Sequence, residues 1–374
     1  MALNPIYDCA VVGGGIAGLC LSIQLARKGF KVVLLEKGKY PFQKVCGEYI
    51  SLESFQFLES IGFSVINSDL PIINQLSLSD YKGKSLKFQL PLGGIGISRF
   101  KLDHALSILA KKEGVTLIEN CKVTDIQFAN NQFSISEGIN FWLAKVCCGA
   151  FGKRSNLDIK WKRIPIKNSN YIGVKYHITG LFPRDEIGLH LFHHGYCGIS
   201  PIEDNTYCLC YLTTANQLYE NHNNIKKMEE NLLYSNPQLH RIFINAKFKS
   251  ERPITISWLN FSSKSKVENH ILMIGDSAGM ISPLCGNGIS MAMHSSLISS
   301  KLISNFLFNI ISREEMEIQY KLSWLKMFNQ RIYSGRIIQY LFQNKKIASF
   351  LISSLKPFPA LTKQIILSTH GKSF

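Results

Sequence analysis

The stretch from Asp8 to Glu36 constrains this chain more than any other. An apolar run, Ala10-Val11-Val12, meets Gly13-Gly14-Gly15-Ile16-Ala17-Gly18, and a second run, Val32-Val33-Leu34-Leu35, ends in Glu36. That order predicts a strand, a glycine turn, a helix over Ile16 to Lys28 and a parallel strand with an acid at its tip. Gly13, Gly15 and Gly18 have the spacing of a dinucleotide-binding turn. The first permits the tight turn, the second admits a pyrophosphate against bare backbone, and the third lets helix and strand pack closely. The helix start, which carries Ala17, offers unpaired N–H groups and a positive dipole end to the phosphates. Glu36 is placed to accept hydrogen bonds from a ribose diol, which disfavours a 2′-phosphate at that spot. FAD or NAD is implied here; NADP is not.

A chain of 374 residues exceeds the length at which one core usually keeps growing, so two structural units are expected. No window supplies the uninterrupted run of about 18 apolar residues that a spanning helix needs. The first apolar run is preceded by Asp8 and broken by glycines, which is wrong for a secretory signal, and a cytoplasmic location is expected. The ten cysteines are scattered, with Cys147-Cys148 and Cys208-x-Cys210 but no CxxC. Neither a zinc site nor a dithiol has its usual spacing, and most are expected to be small buried hydrophobes. No metal site is expected. The net charge of +16 invites a nucleic-acid partner, yet no zinc finger, RRM signature or arginine-rich run appears, so none is expected. From Lys321 onward there are nine Lys or Arg and no Asp or Glu, among segments such as Ile337 to Phe342 and Ile347 to Ile352. That pattern suits peripheral contact with an anionic membrane, or a solvated basic face on helices packed against the body. Both readings stay open.

Further along, alternation bounded by glycines predicts hairpins over 72–98. Helical period returns from Leu102 to Glu113, strands follow to Cys148, and 171–258 reads as mostly β with a helical stretch near Lys226 to Tyr234. The expected fold is α/β: a discontinuous Rossmann-like unit from 1–71, 99–165 and 270–310, a β-rich substrate unit from 72–98 and 166–269, and a helical segment over 311–374. A second glycine-bearing turn closes the Rossmann-like unit. An apolar strand, Ile271 to Ile274, runs into Gly275-Asp276, then Pro283, Gly286, Asn287, Gly288 and Ile289 open the helix Ser290 to Leu302. Asp276 would bond a sugar-chain hydroxyl, and the N–H groups around Gly288 and Ile289 would face an electron-rich ring.

The fingerprint, Gly275-Asp276 with Pro283 and Gly286-x-Gly288, and Arg99-Phe100-Lys101-Leu102-Asp103 opening a helix together resemble a known flavoprotein superfamily. It joins p-hydroxybenzoate hydroxylase-like monooxygenases to geranylgeranyl reductases. The resemblance implies FAD as cofactor, with NADPH or NADH as a candidate electron donor. Lys44-Val45-Cys46-Gly47-Glu48 is similar to the Cys-Gly segment of geranylgeranyl reductases, which implies that Cys46 and Gly47 line the FAD. It also implies that Arg99 reaches the FAD and that Val123 contacts its adenine end through the backbone. Two departures stand out. The Asp-Gly motif that many relatives carry after this strand is replaced by Phe151-Gly152-Lys153-Arg154-Ser155, which lacks the acid. The YxWxFP-like segment becomes Tyr196-Cys197-Gly198-Ile199-Ser200-Pro201, with Gly for Trp, which opens volume where substrate should sit.

The leading expectation is an FAD-dependent reductase of C=C bonds in an apolar, prenyl-like or polyketide-like substrate. The alternative is an FAD-dependent monooxygenase hydroxylating an aromatic or polyketide substrate. The lysine-bearing WxWxIP signature of many halogenases is absent, and a non-catalytic escort on the same fold is a third reading. Catalytic residues are not identified. His193-His194 offers imidazoles that titrate near neutrality, of which strand geometry would let at most one face a pocket.

Overall fold

The computed structural model describes residues 5–65, 69–163, 171–259 and 261–374. The expected unit boundary at 165 lies outside the described residues. Ile6–Val12 is the centre of the first sheet and pairs in parallel with Val32–Leu35 on one side and Phe141–Gly149 on the other. Thr116–Ile118 and Ile271–Met273 extend the parallel set at the two ends. Both apolar runs are buried along Cys9–Val12 and Val32–Leu35, as a parallel sheet covered on both faces requires. The helices Ile16–Ala26, Arg99–Lys112 and Gly288–Leu307 pack together on this unit. The chain is thus a mixed α/β protein built on a Rossmann-like parallel sheet, with helices at its C-terminal side.

The hairpins at 72–98 and the strands beyond Tyr171 join in one sheet of nine strands. The join is parallel: Glu186–Phe192 pairs with Ile72–Ser79, a register that local sequence pattern does not encode. Tyr49–Ser51, read as part of the first unit, instead pairs with Ser85–Gly96 at the edge of this second sheet. A three-residue strand is too short to show a period. One face of the sheet is covered by Ile225–Leu233 and Pro237–Asn245, the other in part by Lys345–Leu355. Only part of this helical cover was readable, since Ala215–Glu220 and Pro237–Asn245 lie in the stretch expected to be β.

His193 and His194 are not strand residues. They form the exposed turn between Glu186–Phe192 and Gly195–Pro201, with His194 at φ +66° and the two rings 3.7 Å apart.

Candidate functional site

The first turn is built as the spacing of its glycines requires. Gly13 follows the first strand at φ +108°, and a Cβ on it would strike the Ala150 carbonyl. A Cβ on Gly18 would run into the carbonyl of Gly13, so helix and turn touch there through bare backbone. Gly15 differs. A Cβ there would meet only Lys44 Nζ at 3.8 Å and Arg99 Nη2 at 4.0 Å. The start of helix Ile16–Ala26 therefore faces open space flanked by two cations.

Those cations are held by one acid. Arg99 donates to both oxygens of Asp103 at 2.8 Å, and Lys44 pairs with Asp103 Oδ2 at 3.1 Å. Burial works to raise the Asp103 carboxyl, but Arg99 and Lys44 overcome it and hold the group below the usual carboxylate range. The cluster keeps one net positive charge beside a helix N-terminus, an arrangement that suits a pyrophosphate.

Glu36 lies at the tip of Val32–Leu35, but it is engaged with protein. Its Oε2 accepts from Gly14 N at 2.6 Å and its Oε1 from Gly38 N at 2.9 Å. Tyr40 Oη donates to the Gly14 carbonyl. The acid thus fixes the glycine turn itself, and since a carboxylate has about four lone-pair sites it keeps further acceptor capacity.

The second turn closes on the first. A Cβ on Gly275 would lie 3.0 Å from Ala17 Cβ, so the Gly275–Ser277 turn rests against the start of the first helix. Asp276 is half-buried there between the buried Gly275 and Ser277. Gly286, at φ +66°, packs against Tyr49. Gly288 begins the helix Gly288–Leu307, and a Cβ on it would meet nothing within 4 Å; the same is true of Gly47. Ile289 is buried, and beside it Asn287 Oδ1 and Ser290 Oγ are buried polar atoms that accept no bond from the described residues. Val123 is buried, and its carbonyl accepts from Asn156 Nδ2 at 3.0 Å.

Cys46 and Gly47 sit where the two sheets meet. Glu48, at φ +56°, is wholly buried between Lys175, whose ammonium is also wholly buried, and His177 Nε2 at 2.6 Å. Lys175 also donates to Gln43 Oε1 and the Lys44 carbonyl, while Cys208 Sγ donates to the Cys46 carbonyl. Burial opposes ionisation of Glu48, yet the His177 hydrogen bond and Lys175 carry it below the usual range. Burial likewise opposes the Lys175 charge, and Glu48 prevails, raising it. Glu48, His177 and Cys208 bring three ligand-type atoms within 4.8 Å of one another. The carboxylate charge is already met by Lys175, and burial pushes the Cys208 thiol up, so the group is an ion-pair clamp rather than a ligand set. Sequence reading missed Lys175 and His177. The signal was a polar alternation within Val174-Lys175-Tyr176-His177-Ile178, which reads equally as a solvated strand face.

From this clamp a row of cross-strand neighbours runs over one face of the second sheet: Lys175, Cys210, Gly198, Leu189, Leu78 and Leu86. Cross-strand partners share a face. Gly198 is the gap in the row, since a Cβ on it would touch only carbonyl oxygens 3.7 and 3.8 Å away. Beyond it Leu78, Leu86, Leu191, Tyr196 and Leu212 form an apolar cluster with Leu284 and with Ala348, Ile352 and Leu355 of the covering helix. All ten cysteines are free, and seven are buried, among them Cys9, Cys20, Cys147 and Cys148.

The family model described as an NAD(P)-binding Rossmann-like domain matches residues 11–45. Conditioned medium factor receptor 1 of Dictyostelium discoideum is 27% identical, over 87% of this chain and 68% of that protein. Digeranylgeranylglycerophospholipid reductase of Methanococcus vannielii is 25% identical, over 86% of this chain and 83% of the other. The solved structure of the flavin-dependent brominase Bmp2 superposes with a TM-score of 0.82 at 19% identity, covering 98% of this chain and 93% of that one. Fold, turn and sequence likeness define the class, an FAD-dependent oxidoreductase, similar in sequence to a digeranylgeranylglycerophospholipid reductase and in fold to a flavin-dependent brominase. The bare faces of Gly15, Gly47 and Gly288, the cations beside Gly15 and the orphaned polar atoms at Asn287 and Ser290 fit an FAD.

Proposed function

We propose that this protein is an FAD-dependent reductase acting on carbon–carbon double bonds of an apolar, prenyl-like or polyketide-like substrate. The observation that carries the reading is the continuous face leading from Cys46-Gly47 and the Glu48–Lys175 clamp, past the gap at Gly198, into an apolar cluster under the helix Lys345–Leu355. The likeness to a digeranylgeranylglycerophospholipid reductase points the same way.

In this reading Gly13, Gly15, Ala17 and Gly18, with Lys44 and Arg99, would hold the pyrophosphate of FAD. Glu36 would hold the ribose, Val123 the adenine end, Asp276 the sugar chain, and Cys46, Gly47, Gly286, Gly288 and Ile289 the ring. When bound, FAD supplies a hydride from its reduced ring, with NADPH or NADH as the candidate source of electrons. Asp103 orients the cations, and Glu48 with Lys175 and His177 fixes the Cys46-Gly47 backbone against the second sheet. The leucines beyond Gly198 exclude water and align an apolar chain. An exchangeable proton must reach the second alkene carbon, and His177 is the imidazole nearest this junction, with 17% of its side chain exposed.

The gap at Gly198 also favours a second reading, a monooxygenase taking an aromatic or polyketide ring broader than a prenyl chain. Anaerobic turnover separates the two. Dithionite-reduced holoprotein should be reoxidised by a polyprenyl substrate without oxygen. Reoxidation only by oxygen, with an atom of labelled dioxygen in the product, would replace the first reading with the second.

A further inference from the structure

The helices of the C-terminal segment bury one side and leave the other without protein cover. Along Arg313–Gln343 the inner face is Trp324, Phe328, Arg331 and Gly335, and at helical spacing opposite it stand Leu322, Lys326, Tyr333, Ile337 and Tyr340. Lys345–Leu355 repeats the pattern, with Ala348, Ile352 and Leu355 inward and Lys346 and Phe350 outward. The connection into Pro359–Ser368 exposes Lys356 and Phe358, and the helix itself exposes Leu361. Tyr340, Phe350 and Tyr333 are 72%, 69% and 65% exposed, and these three helices pack on one another.

Charge says what kind of partner covers such a face. No Asp or Glu occurs from Ile318 to Phe374, whereas nine Lys or Arg do. A second copy of the same face would bring like charges together, and a nucleic acid would leave leucine, isoleucine and phenylalanine unburied. An anionic bilayer accepts both sets, taking aromatic and aliphatic side chains into its interfacial layer while its headgroups meet the cations.

We infer that the outer face of these helices docks the protein on an anionic lipid bilayer. This does not rest on the reductase reading, because it uses none of the residues assigned to the cofactor or substrate.

The test is co-sedimentation of the full chain with vesicles of phosphatidylcholine alone or mixed with phosphatidylglycerol, at low and high salt. Binding is expected only with phosphatidylglycerol present, weaker at high salt, and reduced about a hundredfold in Lys326→Glu/Lys346→Glu/Lys356→Glu. Tyr333→Ser/Phe350→Ser should also weaken it while keeping the wild-type melting temperature, because both side chains are exposed. The inference is overturned by absence of binding to either vesicle, by equal binding to both, or by undiminished binding of the charge-reversed chain. It is overturned too by a solution dimer that Tyr333→Ser/Phe350→Ser dissociates.

Discussion

Gly15 and Gly18 are three positions apart and are glycines for different reasons. At Gly18 a Cβ would strike the backbone of Gly13, whereas at Gly15 it would enter space bounded by two cations. Gly18→Ala should therefore cost about 1–3 kcal/mol of stability, read by urea denaturation, because the turn has no flexible atom to yield. The same urea measurement tests the clamp. Lys175→Met leaves a wholly buried Glu48 with only His177 and the Arg99 N–H as hydrogen-bond partners and without its buried cation, and should cost about 3–5 kcal/mol. Adding Glu48→Gln should recover part of that loss; no recovery would mean the two residues are not coupled. The close approaches at Gly13 and Gly18 were readable because they depend on local spacing, whereas the pairing of Arg99 with Asp103 was not read. Lys175 was not readable, since its partner lies 127 positions away and only the folded sheet shows which face it occupies.

At the scale of elements, those with a chemical marker at an end could be read from sequence. The helix Arg99–Lys112 starts three residues earlier than its apolar period, because Ser98 Oγ accepts from Lys101 N and caps it. Pro237–Asn245 carried such a marker too, an Asn-Pro start in which Asn236 accepts from Gln238 N, but its surroundings alternate like strands. The helix Arg313–Gln343 opens with a reciprocal cap between Ser312 and Glu315. Ser312→Ala should cost about 1 kcal/mol of stability, measurable as a lowered melting temperature. The pairing of Glu186–Phe192 with Ile72–Ser79 and the Tyr49–Ser51 edge were not readable, since parallel register across a hundred residues is a property of the assembled sheet.

Over the whole molecule, two buried carboxylates bind the parts together: Asp103 under the cations beside the first turn, and Glu48 between the loop and the second sheet. Both lie below their ordinary values, so the stability they contribute is fully present above the ordinary carboxylate range, about pH 4, and is lost as pH falls through the lowered values. The denaturation midpoint should drop steeply on acidification below that range, and Glu48→Gln should flatten the drop. An equally steep profile in the variant would mean that Glu48 does not carry the acid sensitivity.

In the function proposed above, one FAD lies across the open side of the Gly15 turn, between Lys44, Arg99 and the start of the helix at Gly288. Equilibrium titration of flavin-free protein with FAD, followed by flavin fluorescence, tests it most directly when the wild type is compared with Gly15→Val. One FAD should bind per wild-type chain and none measurably to the variant, which should melt as the wild type does because a Cβ at this position meets only the ends of Lys44 and Arg99. Undiminished FAD binding by a folded Gly15→Val chain would contradict it.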